Sequence, residues 1–346
     1  MRMMKKFVLV PLVFTIAVVC PLLIYFKADR SVTSNDNEMK RDSLHGNTNI
    51  IIESNPETVI NQDSGILSVV EMGKRIHSTT NDTVLVTLIN DAYMSFTYSW
   101  LCNTKYMDIH KQVLFITTDT VSRDKLHKDW PEVSAVTLSG LSLSGDQVYS
   151  HAGYVRLMVR RTEALLAMLN ANLEIFLFEV DCLWIRNPLP VLKKTAKQYD
   201  ILVTPVSERP GIIAGGFLFM RPTTAMKVTW RALVDKLYNL DTRLKKLPPN
   251  QVISEGDNDQ QFLSALIMSR YKGIQYKMLT LQVYPDGKWY SYPESKQKQL
   301  DPDIINNNWA LGNKVKIDRA KKWHHWFIKE DNVTCDMDEV RKIVKN

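Results

Sequence analysis

The chain has 346 residues, 45% of them hydrophobic, which is enough for one large or two ordinary domains. Its formal net charge is +7, but the 44 Lys and Arg are scattered among 37 acids, so the excess does not mark a nucleic-acid surface. It fits solvated faces plus a local pocket for phosphate.

Residues Met1 to Lys6 carry Arg2, Lys5 and Lys6, and an uncharged run of 20 residues, Phe7 to Phe26, follows. At about 1.5 Å per helical residue this run spans a hydrocarbon core of ~30 Å. The flank from Tyr25 to Ser31 lacks the small-residue cleavage pattern of a secretory leader, so a retained anchor is expected. The basic N-terminus outweighs Lys27 and Arg30, offset by Asp29. Residues 1–6 are therefore read as cytosolic, 7–26 as a transmembrane signal anchor, and everything after as lumenal. Residues 27–80 read as a polar stem, in which the apolar spacing from Ser64 to Ile76 predicts a helix that docks on the globular body at 81–346.

Of four cysteines, Cys20 falls in the anchor. In an oxidising lumen Cys102 and Cys335 are the expected pair, because Cys182 is embedded in a charged motif described below. Asn81-Asp-Thr83 and Asn332-Val-Thr334 are glycosylation sequons.

Buried strands are predicted at Thr83–Ile89, Gln112–Asp119, Val133–Leu138, Ile175–Val180, Ile201–Thr204 and Gly211–Pro222. Helices are predicted at Met94–Leu101, His151–Leu169, Thr223–Tyr238, Asp259–Ser269 and Met337–Val344. After Gln282 the pattern weakens into loops and short strands. Strands alternating with helices imply an α/β fold with a mixed, mostly parallel sheet. Ligands of such sheets bind beyond the strands' carboxyl ends, where Asn90, Asp91, Asp119, Glu179 and Asp181 fall.

The run Glu174-Ile-Phe-Leu-Phe-Glu-Val-Asp-Cys-Leu-Trp-Ile-Arg-Asn-Pro188 is the most informative. Alternation along a strand points Glu179 and Asp181 the same way. Two buried like charges conflict through desolvation and repulsion, and a divalent cation between them removes the conflict. Arg156 and Arg160, four apart on one helix face, are candidates for phosphates or sugar hydroxyls. Gly215 and Gly216 permit close backbone approach to a ligand.

Four segments, in order, carry a resemblance. They are Tyr154 to Leu166, Phe178 to Pro188, Ala214 to Pro222 and Asp257 to Phe262. Together they resemble the nucleotide-diphospho-sugar transferase family, which includes plant rhamnogalacturonan-II xylosyltransferases, over residues 84 to 328. The resemblance implies a GT-A-type Rossmann-like domain, a UDP-sugar donor, a glycan or glycoprotein acceptor, a Mn²⁺ ion held by an Asp-x-Asp motif, and retention of configuration. Glu179 stands where the family usually has Asp.

On that resemblance Asp181, Glu179 and His324 are the expected metal ligands, His324 matching the histidine of a late His-Asn-Asn motif. Asp259 is expected at sugar hydroxyls and Gln260 at the anomeric centre. Asn90, Asp91 and Tyr93, after the first strand, are expected near uracil and ribose. The expected protein is a single-pass type II Golgi enzyme moving xylose or galactose. The alternative is a catalytically silent, membrane-tethered sugar- or nucleotide-binding relative.

Overall fold

The computed structural model of the chain describes residues 63–138 and 144–345. The anchor and the stem up to residue 62 lie outside the described residues. No helix among the described residues is long and apolar enough to cross a membrane.

Helix α1 (Ser64–Thr80) starts at Asp63, whose carboxylate accepts from the amides of Gly65 and Ile66. It buries Ile66, Val69 and Ile76. A side chain at Gly73 would come within 3 Å of Leu173 and Met168 (2.8 and 2.9 Å), so the helix lies close on its neighbours. The segment read as the end of the stem is therefore part of the globular body.

The main sheet is built from β1 (Val84–Ile89), β2 (Val113–Thr117), β3 (Ser134–Thr137), β4 (Ile175–Leu177), β6 (Ile201–Pro205), β7 (Ile213–Met220) and β8 (Tyr276–Met278). Their order is β3-β2-β1-β4-β7-β6-β8. The strands from β3 to β4 pair in parallel, β7 runs antiparallel to both β4 and β6, and β8 returns parallel to β6. The sheet is thus mixed and mostly parallel. Its helices are α2 (Met94–Asn103), α3 (Thr120–Asp129), α4 (Ala152–Asn170), α5 (Leu189–Ala196), α6 (Thr224–Leu244) and α7 (Asp259–Met268).

The central strands are apolar on both faces because both faces are covered. Leu85, Val113, Phe115 and Phe176 join an aromatic layer with Trp100, Phe178 and Trp184. Val84, Val86, Leu114 and Ile116 pack with the aliphatic residues of α1, α4 and α6. Burying one large apolar side chain contributes about 1.5–3 kcal/mol, so these two layers supply most of what holds the sheet in place.

Strand β4 ends at Leu177, sooner than its apolar run suggests. The chain then bends, with the Cys182 amide donating to the Glu179 carbonyl at 3.2 Å. It enters a small ribbon of β5 (Leu183–Trp184) against β9 (Ile304–Ile305). That pairing carries Asn306-Asn307-Asn308 back to the end of the sheet. Helix α8 (Asn313–Lys322), missed in the sequence, follows Gly312, whose φ of 83° needs glycine. Helix α9 (Met337–Ile343) closes the described chain. The disulfide Cys102–Cys335, across 233 residues, ties the segment before α9 to α2.

Replacing Cys102 and Cys335 by serine is expected to cost roughly 2–5 kcal/mol of unfolding free energy. Denaturant unfolding would show this as a lower midpoint, and an unshifted midpoint would contradict it.

Candidate active site

A cavity of about 400 Å³ opens beyond the carboxyl ends of β1 and β4, with a recess of about 60 Å³ beside it. Glu179 lines both spaces, and Asp181 lines the recess. The acids lie in the bend after β4 rather than on the strand, so the turn at Cys182, and not strand alternation, brings them together. Gly216 of β7 makes room for Glu179: a Cβ there would fall 2.1 Å from the carboxyl carbon. At Gly215 a Cβ would meet Gln260 at 3.3 Å and Asp259 at 3.5 Å. The two glycines thus press β7 against an acid on one side and against the start of α7 on the other.

Asn258 caps α7 by accepting from the Gln261 amide, and it sets Asp259 and Gln260 on the cavity wall. Gln260 Oε1 accepts from the Gly215 amide at 3.2 Å. Asp259 Oδ2 accepts from Arg161 Nη2 at 2.7 Å, and the same nitrogen donates to the Gly215 carbonyl at 3.1 Å. Lys316, from α8, reaches Asp181 Oδ2 at 2.7 Å.

The floor therefore gathers three carboxylates (Glu179, Asp181, Asp259) against two cations (Arg161, Lys316). The surplus acid is felt at Glu179. Burial and then the Asp181 charge push its carboxyl up from the ordinary value, while Lys316, Arg161 and an Asn306 hydrogen bond pull it back. Burial works against the Lys316 charge, but Asp181, Tyr93 and Glu179 outweigh it and hold the ammonium well above its usual range. Burial raises the Tyr93 phenol to about 12.

These residues fit a divalent cation. Asp181 Oδ1 is buried without a hydrogen-bond partner, and the nearby carboxylate of Glu179 adds the hard oxygen donors that Mg²⁺ or Mn²⁺ prefers. No group of three or more His, Cys, Asp or Glu side chains suited to a metal occurs among the described residues. Further donors would come from amide oxygen, water or the ligand itself.

Four expected site residues, Arg156, Arg160, His324 and Asp91, lie outside the cavity lining. Arg156 Nη2 donates to the carbonyls of Leu244 and Leu247, the latter at 2.6 Å, and so ties α4 to the end of α6. Arg160 pairs with Asp63 at 2.6 Å and Glu163 at 2.5 Å, locking the start of α1 to α4. His324 is exposed and meets Glu339 at 3.1 Å. Beside the acids stands Asn306 instead, which follows β9 and hydrogen-bonds Glu179.

Of the residues after β1, Tyr93 lines both spaces and Asn90 lines the recess. Asn90 also donates to the Gly145 carbonyl at 2.7 Å. Asp91 instead accepts from the Gly145 amide at 2.8 Å, holding the loop rather than the cavity. Asp119 caps α3 through the Ser122 amide and hydroxyl. Asn81 and Asn332 of the sequons are both exposed, with φ of 52° and 58°.

Residues 108–320 match the sequence profile of the nucleotide-diphospho-sugar transferases. UDP-D-xylose:L-fucose alpha-1,3-D-xylosyltransferase MGP4 of Arabidopsis thaliana is 22% identical over 265 residues, 72% of this chain and 71% of that protein. Among solved structures, the glycosyltransferase GlyE of Streptococcus pneumoniae TIGR4 superposes with a TM-score of 0.44 at 12% identity, covering 75% of this chain and 63% of that one. Mouse xyloside xylosyltransferase 1 in its apo form gives a TM-score of 0.41 at 10% identity, covering 66% of this chain and 98% of that one.

Arg161→Ala leaves the Asp259 charge buried alone and is expected to destabilise the fold by about 3–5 kcal/mol. Adding Asp259→Asn should recover part of that loss in denaturant unfolding; no recovery contradicts the pairing. His325 gives a pH test. Burial lowers its imidazole from 6.5 to about 4. Between those values the unfolded chain binds the extra proton, so stability falls as the pH drops through that window, by roughly 3 kcal/mol in all. His325→Gln should flatten that stretch of the stability–pH curve.

Proposed function

The chain belongs to the nucleotide-diphospho-sugar transferase family and is a glycosyltransferase; from that premise we propose that it moves a sugar from a UDP-sugar to a hydroxyl of a glycan or glycoprotein. Xylose stands first and galactose second, since the Arabidopsis relative is named for UDP-D-xylose. The carrying observation is the acid pair Glu179 and Asp181 at the cavity, with one Asp181 oxygen unpartnered. A diphosphate is anionic, and a floor with a surplus carboxylate admits it only together with a counter-cation. Mn²⁺ is the cation we assign, held by Glu179 and Asp181. When bound, the ion neutralises charge that develops on the diphosphate as the glycosidic bond breaks.

The protein's own groups divide the remaining work. Lys316 lines the cavity beside Asp181 and brings a second positive charge to the phosphates. Asp259, its carboxylate fixed by Arg161, receives the hydroxyls of the donor sugar. Gln260, held by the Gly215 amide, stands near the anomeric carbon. Neither is assigned as a nucleophile. Reaction with retention, without a covalent enzyme intermediate, accords with an Asp259 already committed to Arg161. Tyr93 and Asn90 border the part of the recess assigned to the nucleoside.

The proposed setting is the Golgi lumen, with residues 1–6 cytosolic and 7–26 spanning the membrane as a type II anchor. A disulfide between Cys102 and Cys335 and two exposed sequons support that setting.

The test is UDP binding to the full-length protein, followed by thermal unfolding with and without Mn²⁺. UDP should raise the midpoint strongly only with the ion present. Asp181→Asn should weaken UDP binding by roughly a hundredfold or more and abolish transfer from UDP-xylose. Equal protection by UDP in excess chelator would contradict the role given to the cation.

A further inference from the structure

Glu179 is longer by one methylene than the aspartate of an Asp-x-Asp motif, and the strand beside it has room for that methylene. The register of β4 against β7 pairs Phe176 with Phe219 and Leu177 with Leu218. Continued past the end of the ladder, it sets Glu179 opposite Gly216, where side chains share a face. A Cβ at Gly216 would lie 2.1 Å from the Glu179 carboxyl carbon and 2.3 and 2.5 Å from its two oxygens. The carboxylate therefore occupies the place that a side chain would take. Gly216 is not among the residues with positive φ, so glycine stands there for room and not for backbone conformation. Glu179 fills that room, which leaves none of it for a ligand.

The overlap matches the length of the arm. Carbon atoms in ordinary contact are about 3.5 Å apart, so a side chain at Gly216 would push the carboxyl back by roughly one carbon–carbon bond, about 1.5 Å. That is close to the reach by which Glu exceeds Asp. Asn306 holds the extended position from another side. It is buried, and its Oδ1 accepts from the Asn308 amide at 2.9 Å. An ionised carboxylate can only accept, so the NH₂ group of Asn306 is the donor to Glu179. A metal–oxygen bond is about 2.1 Å long and holds that length to within about 0.2 Å. A carboxylate drawn back by a whole bond would lose such a contact.

We propose that Gly216 is a positioning residue for Glu179, and that the pair is matched, so that this site requires the longer acid. Glu179 is then no weakened substitute for Asp: strand, asparagine and arm are fitted to one another. The inference rests on the cation reading above, and it adds what sets the reach of one of the two acids.

The experiment uses the full-length protein and three variants, Glu179→Asp, Gly216→Ala and the two combined. Uptake of Mn²⁺ with UDP present is read by electron paramagnetic resonance, and denaturant unfolding is followed in excess chelator. Each single exchange should weaken Mn²⁺ uptake by roughly tenfold or more, the usual effect of disturbing the support of a ligand. The double variant should be no weaker than Glu179→Asp alone, because the shorter acid leaves space for the new methyl group. In chelator, Gly216→Ala should lower the unfolding midpoint of the parent and leave that of Glu179→Asp as it was. Glu179→Asp that takes up Mn²⁺ as tightly as the parent overturns the requirement for Glu, and parent-like uptake by Gly216→Ala overturns the seat. Losses that simply add in the double variant overturn the match between the two residues. A parent that takes up no Mn²⁺, while the unfolding effect of Gly216→Ala still depends on the acid at 179, keeps the seat and overturns the cation reading. Absence of both uptake and that dependence overturns the seat as well.

Discussion

The ion pair between Lys316 and Asp181 governs the rest of the cavity. It joins a helix near the end of the chain to the bend after β4, across 135 residues of sequence, at 2.7 Å. Neither partner is freely solvated, so each depends on the other to remain charged. The pair still leaves the floor with one acid too many, because Arg161 is spent on Asp259 and nothing of equal strength answers Glu179. A protein selected only for stability would not gather these carboxylates here. On the proposed reading a ligand that brings positive charge relieves their surplus, and in that sense the imbalance is what makes the cavity a candidate site.

The fold holds this imbalance in place through close approach rather than through many polar contacts. β7 runs antiparallel between two strands and carries glycines where the acid bend and the start of α7 lean on it. The β5–β9 ribbon returns the asparagine triplet to the same point, and Gly312 turns the chain so that α8 presents Lys316. The disulfide at Cys335 anchors the segment beyond α8 to α2, beneath the aromatic layer. Elements distant in sequence therefore converge on one end of the central strands.

Much of this was legible in the chain. Strands covered on both faces are apolar at nearly every position, which made β1, β2 and β4 plain, and a pair of acids at the end of such a run stood out against it. The basic residues were harder to assign. Arg156, Arg160 and Arg161 share one helix that is buried almost all round, and helical spacing could group the first two without saying which neighbour they face. They turn to α6 and α1, while Arg161, one step further around the axis, meets Asp259. Helix α8 gave no apolar stripe, since Ala320 is its one buried residue, so Lys316 passed as part of a solvated charge run. His324 drew notice through its tryptophan neighbours. Those aromatics serve packing, and it is His325 that turns inward toward Tyr290, at 3.1 Å.

The central claim is that Glu179 and Asp181 together hold a divalent cation whose binding is coupled to that of the donor's diphosphate. Electron paramagnetic resonance of free Mn²⁺, titrated with protein in the presence and absence of UDP, tests it most directly. The account predicts that the protein takes up the ion, that UDP tightens this uptake, and that Asp181→Asn abolishes both effects. Uptake that ignores UDP and survives Asp181→Asn would contradict it.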